Sequence, residues 1–240
     1  MARWPRIAGL RVVMAWPEDS HFTPAPPPRG RSRARLAGVT GVSLIVGGIG
    51  AIAVALLAQQ HAPAPAESAA GTTGAGGAKG PVLHKSAPVS VTIPAIGVRS
   101  KLLRLGLNPD GTLQVPSLTS SAGQAAWYRG SATPGQAGTS VIEGHVDSYQ
   151  GPAVFYRLGA LRPGNTVEVT LADGITAVFR VTGVREYAKD EFPAKTIFGP
   201  ADYAALRLIT CGGGFDSATG HYLGSVVVFA ALSTARPPAA

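Results

Sequence analysis

Leu206-Arg207-Leu208-Ile209-Thr210-Cys211-Gly212-Gly213-Gly214 decides the reading of this chain. Its first six residues are rich in branched side chains, and the pattern predicts a strand over 205–211. The strand ends on the only cysteine in 240 residues and opens at once into three glycines. A side chain there is held by the strand on one side and free of bulk on the other. The glycines let another backbone approach closely. A lone cysteine is more often a small buried hydrophobe, so the thiol needs a partner before it counts as chemistry.

Working outward, the surrounding segments read as short strands. Val89, Val91 and Ile93 alternate with polar residues and stop at Pro94. Further strands are expected over 101–105, 112–115, 140–146, 166–171, 176–185 and 225–232. Asn108-Pro109-Asp110-Gly111 signals a turn, and Asp173-Gly174 signals a hairpin. Helical signals are few and short, around 123–128, 152–161 and 193–198. Seven or eight short strands imply a mostly β domain closed into a barrel, spanning 89–235. No internal repeat is visible.

The segment before the domain has another character. Residues 36–58 carry no charge over 23 positions, longer than the roughly 20 residues that span a bilayer as a helix. A cleaved signal peptide is the alternative, but its apolar region runs to only about 7–15 residues. Arg29, Arg31, Arg33 and Arg35 precede the span and no Lys or Arg follows it before residue 67. The positive-inside rule then puts the N-terminus in the cytoplasm and the domain outside the cell. Residues 1–35 form a basic, Pro-rich tail, with Met14 a second possible start, and 59–88 an Ala/Gly/Pro-rich flexible linker. A short tail, 236–240, closes the chain.

Charge and cysteine count exclude whole classes. The net charge of +8 is concentrated in residues 1–35, with seven Arg against two acids. The remaining cations are scattered, without a stripe or interleaved aromatics, so no nucleic-acid partner is expected. One cysteine rules out a disulfide framework and a multi-thiolate metal site. The five histidines show no ligand spacing. Glu186, Asp190 and Glu191 are spaced as a solvated acidic face. No metal and no cofactor are expected.

The partner for the thiol is His145, at the end of the strand expected over 140–146 and 66 residues before Cys211. A thiol that attacks a carbonyl needs a base, and an imidazole supplies one. Asp147 could orient His145, but reads more simply as a turn residue. Trp127 and Tyr128 read as core or groove-wall aromatics, and His221-Tyr222 as a loop or strand start.

The motifs together resemble one family. Leu208-Ile209-Thr210-Cys211 is similar to the nucleophile motif of sortases, the cysteine transpeptidases of Gram-positive surfaces, with Arg207 replacing its first Thr. Ile93-Pro94-x-Ile96-Gly97-Val98, Ala126-Trp127-Tyr128 and Gly144-His145 add to it. Gly144-His145-Val146-Asp147-Ser148, Gly151-Pro152-Ala153-Val154-Phe155 and Cys211-Gly212-Gly213-x-Phe215-Asp216 look most like class F sortases of actinobacteria. The resemblance implies an eight-stranded β-barrel, with Cys211 as nucleophile and His145 as general acid/base. It implies cleavage of a Leu-Pro-x-Thr-Gly-like sorting signal between Thr and Gly through a Cys thioester. The acyl group then passes to an amine, from a peptidoglycan precursor or another acceptor. The implied partners are secreted proteins with a C-terminal sorting signal, the acceptor amine and membrane lipid.

The sequence departs from this pattern at one point. The family's substrate-binding Arg is expected near Ser225, and 211–235 contains no Arg. Arg207 is the substitute that shares strand parity with Cys211, about 13 Å along the strand. It would contact the oxyanion or the substrate, or else be an ordinary strand residue. Arg180 and Arg185 are weaker options, and backbone N–H groups could serve the oxyanion instead. Two other readings stand beside the sortase one. One is a different extracytoplasmic Cys/His enzyme, such as an L,D-transpeptidase or peptidase, although Thr210-Cys211-Gly212-Gly213 does not fit the L,D-transpeptidase pattern. The other is non-enzymatic: a tethered β domain, or a sortase-like domain that has lost turnover.

Overall fold

A computed structural model describes residues 62–74 and 81–238. The expected cytoplasmic tail and the expected membrane helix over 36–58 lie outside the described residues. Among the described residues no helix is long and apolar enough to cross a membrane.

Among the described residues there are ten strands: β1 (Pro88–Ile93), β2 (Val98–Leu105), β3 (Ala125–Tyr128), β4 (Gly138–Glu143), β5 (Asp147–Ser148), β6 (Gly151–Pro152), β7 (Thr166–Leu171), β8 (Thr176–Ala188), β9 (Ala204–Asp216) and β10 (His221–Arg236). Eight close into a barrel in the order β1-β2-β3-β4-β9-β10-β8-β7, and β5 and β6 form a separate hairpin. The pairs β2–β3 and β4–β9 are parallel. Parallel neighbours require long crossovers. The connection from β4 to β9 therefore carries the β5–β6 hairpin, the β7–β8 hairpin and the one short α-helix described, α1 (Ala194–Phe198).

Alternation along the strands sorts side chains to two faces. Ile142, Leu206, Leu208, Val226 and Val228 point inward and join Val91, Ile93, Phe155 and Phe179 in the barrel core. Val141, Ile209, Val227 and Phe229 point outward and are covered by Leu113, Ile197 and Phe198. The outer cluster exists because α1 and the loop before β3 cover the β4–β9–β10 face. That face carries the site.

The hairpin at Asp173-Gly174 forms, with Gly174 at φ 84°. Two expectations fail. Residues 123–128 are not helical: Ala125–Tyr128 is a strand, parallel to β2 and antiparallel to β4. Alanine's helix preference yields there to pairing between two neighbours that leave no room for a helix. Residues 112–115 form no strand, only the isolated bridge Leu107↔Leu113. Asp110 holds the Thr112 N–H and hydroxyl in a turn instead, at 2.9 and 2.7 Å. The 152–161 segment reduces to a single 3-10 turn at Leu158–Ala160.

Within the span expected as a linker, residues 62–74 lie along the barrel as a strap. The Thr72 N–H donates to the Thr182 carbonyl at 2.9 Å. Arg185 donates to the carbonyls of Ala70 and Gly71 at 3.1 and 3.0 Å. Ala69 is fully buried. Composition gives no sign of this, because the strap contributes mainly backbone carbonyls, which every residue has.

Candidate active site

Cys211 lies within β9, which does not end at the thiol as expected but runs on through the three glycines to Asp216, and His145 lies two residues past the end of β4. In the parallel β4–β9 ladder Glu143 is level with Ile209, and the Gly144 N–H donates to the Ile209 carbonyl at 3.1 Å. Two residues further along each chain, the same register brings His145 beside Cys211. Odd-numbered residues of both strands share the outer face with Val141 and Ile209. Gly144 is needed where it stands. A Cβ there would lie 2.6 Å from Val154 Cγ1 and 2.9 Å from the Phe155 ring. The Phe155 N–H also donates to the His145 carbonyl at 2.9 Å, fixing the chain at the histidine.

His145 is buried, and its Nε2 lies 2.6 Å from the Pro116 carbonyl. A carbonyl only accepts, so Nε2 carries the proton and Nδ1 is the basic nitrogen of the neutral ring. Burial pushes the imidazole below its ordinary value, partly offset by the Pro116 carbonyl and the Asp147 charge. Burial pushes the Cys211 thiol up. Lys189 opposes that rise, while Asp147 and Glu143 add to it. Both shifts favour the neutral forms.

On the other side of Cys211, β10 sets Ser225 directly opposite. Ser225 is buried and stands where an arginine was expected. Tyr222, at the start of β10, donates its hydroxyl to Asp147 Oδ2 and packs edge-on against Phe215 with ring centroids 5.1 Å apart. This bond ties the β5–β6 hairpin to the β9–β10 end. Burial, and then Asp147, hold the Tyr222 phenol in its protonated form.

Arg207 is placed away from the thiol. It is level with Phe229 on β10, four residues from the Ser225–Cys211 pair. Its guanidinium stacks on the Phe229 ring at 4.7 Å and donates to the carbonyls of Leu206 and Thr73 at 3.2 and 3.4 Å. It is only 4% exposed and is committed to the outer cluster and the strap. Arg185 is committed to the strap in the same way, and Arg180 donates to the Gly164 carbonyl at 3.0 Å. Trp127 is buried, with its indole N–H on the Ala132 carbonyl at 3.3 Å, as expected of a core aromatic. Glu186, Asp190 and Glu191 are exposed, and no group of three His, Cys, Asp or Glu gathers to hold a metal among the described residues.

Three residues were missed by sequence reasoning. Glu143 is 1% exposed, its Oε2 lacks a hydrogen-bond partner, and burial raises its carboxyl to about 8. An acid inside the apolar run Val141-Ile142-Glu143 was a legible signal of a buried carboxyl beside the histidine. Tyr222 and Lys189 carry no local signal. They matter through the β9–β10 hairpin and the β8–β10 pairing.

The Sortase domain family matches residues 91–233. No curated protein matches the chain by sequence. Among solved structures, sortase A from Corynebacterium diphtheriae is 17% identical over 63% of this chain and 62% of its own, with a TM-score of 0.47. This chain therefore spans less than two thirds of that protein. Sortase A of Listeria monocytogenes is 15% identical over 64% of this chain and 90% of its own, with a TM-score of 0.47. Sortase C1 from Streptococcus agalactiae is 18% identical over 60% and 66%, again at 0.47. The family match covers more than half of the chain, from the second half of β1 to near the end of β10, and includes both His145 and Cys211: the chain belongs to the sortase family.

Proposed function

We propose that this sortase is a membrane-anchored cysteine transpeptidase of the class F type. The observation that carries the reading is the parallel β4–β9 register, which sets His145 beside Cys211 on one covered face. In the proposed reaction the substrate is the Thr carbonyl of a Leu-Pro-x-Thr-Gly-like signal. His145 Nδ1 takes the thiol proton as the sulfur attacks. The imidazolium then returns that proton to the Gly nitrogen as the C–N bond breaks, leaving a thioester and a free amine. An acceptor amine attacks the thioester, and His145 takes the amine's proton and returns it to the sulfur as Cys211 leaves. Residues 36–58 would anchor the chain, with its N-terminus in the cytoplasm and the barrel facing secreted proteins and the cell-wall precursor.

The test is the full-length chain in detergent with a fluorogenic Leu-Pro-x-Thr-Gly peptide and a glycine-based amine. Amine-dependent product and a thioester adduct detected by mass are expected. Both are lost in Cys211→Ala, and turnover falls by about 100-fold or more in His145→Ala. Ser225 in place of an arginine, together with the buried thiol, favours a second reading: a sortase-fold domain without turnover. Cys211 that forms no adduct with any peptide and resists alkylation would establish that second reading.

A further inference from the structure

The chemistry just proposed builds negative charge at two points, the sulfur and the attacked carbonyl oxygen. The surroundings are hostile to both. Asp147 faces the site from β5; Glu143 on β4 and Tyr222 on β10 face it too, with burial favouring their neutral forms. Glu186 on β8 reaches across to Gly213, where an added Cβ would lie 3.1 Å from its Oε1. Asp190 and Glu191 follow just beyond and are exposed. Against these acids, the arginines that share the outer face are spent elsewhere, Arg207 on Phe229 and Thr73, and Arg185 on Ala70 and Gly71.

Among the described residues one cation is left at the site. Cys211 is level with Ser225 on β10, and Ser225 is level with Tyr187 on β8. Lys189 stands two residues beyond Tyr187, with its N–H on the Leu223 carbonyl at 2.9 Å. By alternation it shares the outer face of Tyr187, whose ring packs on the outer cluster. It is therefore one step along the sheet from the Cys211–Ser225–Tyr187 row, on the same face. It is half-buried, and it acts electrostatically on Cys211. On β10 the Ser225 side chain is short and Gly224 beside it has none, while Leu223, level with Lys189, is exposed.

We propose that Lys189, reaching across β10 over Ser225, supplies the positive charge that stabilises the Cys211 thiolate and the oxyanion in place of an arginine on β10. The opposing electrostatics agree, since Lys189 is the one cation that acts to ease ionisation of the thiol. The inference rests on the transpeptidase reading for its purpose, but its core is a charge–charge coupling that needs no substrate.

The experiment follows alkylation of Cys211 by iodoacetamide against pH in the full-length chain, comparing wild type with Lys189→Gln and Lys189→Arg. Lys189 lies at the rim, and the thermal midpoint of each variant verifies folding. Loss of the cation is expected to move the alkylation midpoint up and to slow labelling at pH 7 by about threefold to tenfold. Lys189→Arg should stay close to wild type. Raising the salt concentration should shrink the difference between wild type and Lys189→Gln. With peptide substrate, Lys189→Gln should lower kcat more than it raises KM. Superimposed alkylation profiles for wild type and Lys189→Gln would overturn the inference while leaving the nucleophile assignment intact. A wild-type thiol that is inert across the whole pH range would instead overturn the transpeptidase reading, and the inference with it.

Discussion

Glu143 makes the sharpest prediction about stability. It sits in the outward-facing row of β4, 1% exposed, and burial raises its carboxyl from 4.5 to about 8. The unfolded chain releases this proton near its ordinary value, whereas the folded chain holds it. Below about pH 4.5 both states are protonated and the group has no pH-dependent effect. As the pH rises toward 8 the unfolded state gains by ionising and the folded state does not, so stability falls throughout that window and levels off above it. At about 1.4 kcal/mol per pH unit, the loss between pH 5 and 8 is on the order of 3 kcal/mol. For a domain of this size that corresponds to roughly 10 °C in the thermal midpoint. Glu143→Gln keeps the shape, removes the titration and should abolish this slope. The assay is thermal and urea unfolding of both proteins at pH 5, 6, 7 and 8, taking the difference between the two curves so that every other titrating group cancels. Wild type and Glu143→Gln losing stability in parallel would refute the reasoning, because it would mean that Glu143 ionises inside the fold at no cost.

Two further predictions concern how the site is framed. Tyr222→Phe and Asp147→Asn remove the two ends of the bond between β10 and the β5–β6 hairpin. A double-mutant cycle by urea denaturation should give a coupling of about 1–3 kcal/mol, and a coupling near zero would show that the hairpin is held otherwise. Gly183→Ala puts a Cβ 2.6 Å from the Ala70 carbonyl and 2.8 Å from the Thr72 carbonyl, so the strap must lift. Faster amide exchange confined to residues 62–74 and to Thr182 is expected, with a loss of about 1–2 kcal/mol. Unchanged exchange there would mean that the strap is not held by the contacts around Gly183.

Reading the sequence found the barrel, and it singled out Cys211 and His145 because both lie on local patterns. Cys211 ends an apolar run before three glycines, and His145 ends another. What sequence could not give is which side chains meet across strands far apart in the chain. Lys189 depends on the β8–β10 register with its shifts at Phe229/Ala230 and Leu232/Thr234. Parity correctly gave Arg207 the face of Ile209, but parity says nothing of a competing partner. Phe229 on the next strand and the Thr73 carbonyl on the strap capture the guanidinium. Ala125–Tyr128 misled for the opposite reason. Its composition favours a helix, and only the pairing with β2 and β4 makes it a strand.

The opposite shifts at Cys211 and His145 bear on how such an enzyme rests. Burial lifts the thiol and depresses the imidazole, and both shifts favour the neutral pair over the ion pair. Oxidation proceeds through the thiolate. A single cysteine 5% exposed, with no second cysteine to re-reduce it by exchange, is therefore shielded while idle. That suits a domain placed outside the cell, as proposed, where no cytosolic reductant reaches it. The same logic assigns Lys189 a graded task. A cation strong enough to hold a resting thiolate would forfeit the shielding, whereas one at the rim, across Ser225, shifts the idle thiol only by the threefold to tenfold that alkylation reads and acts more strongly once a bound peptide excludes water and strengthens the field between charges. Activation by substrate then follows from burial alone, and the thiol of the idle protein should be alkylated far more slowly than a solvent-exposed cysteine at the same pH.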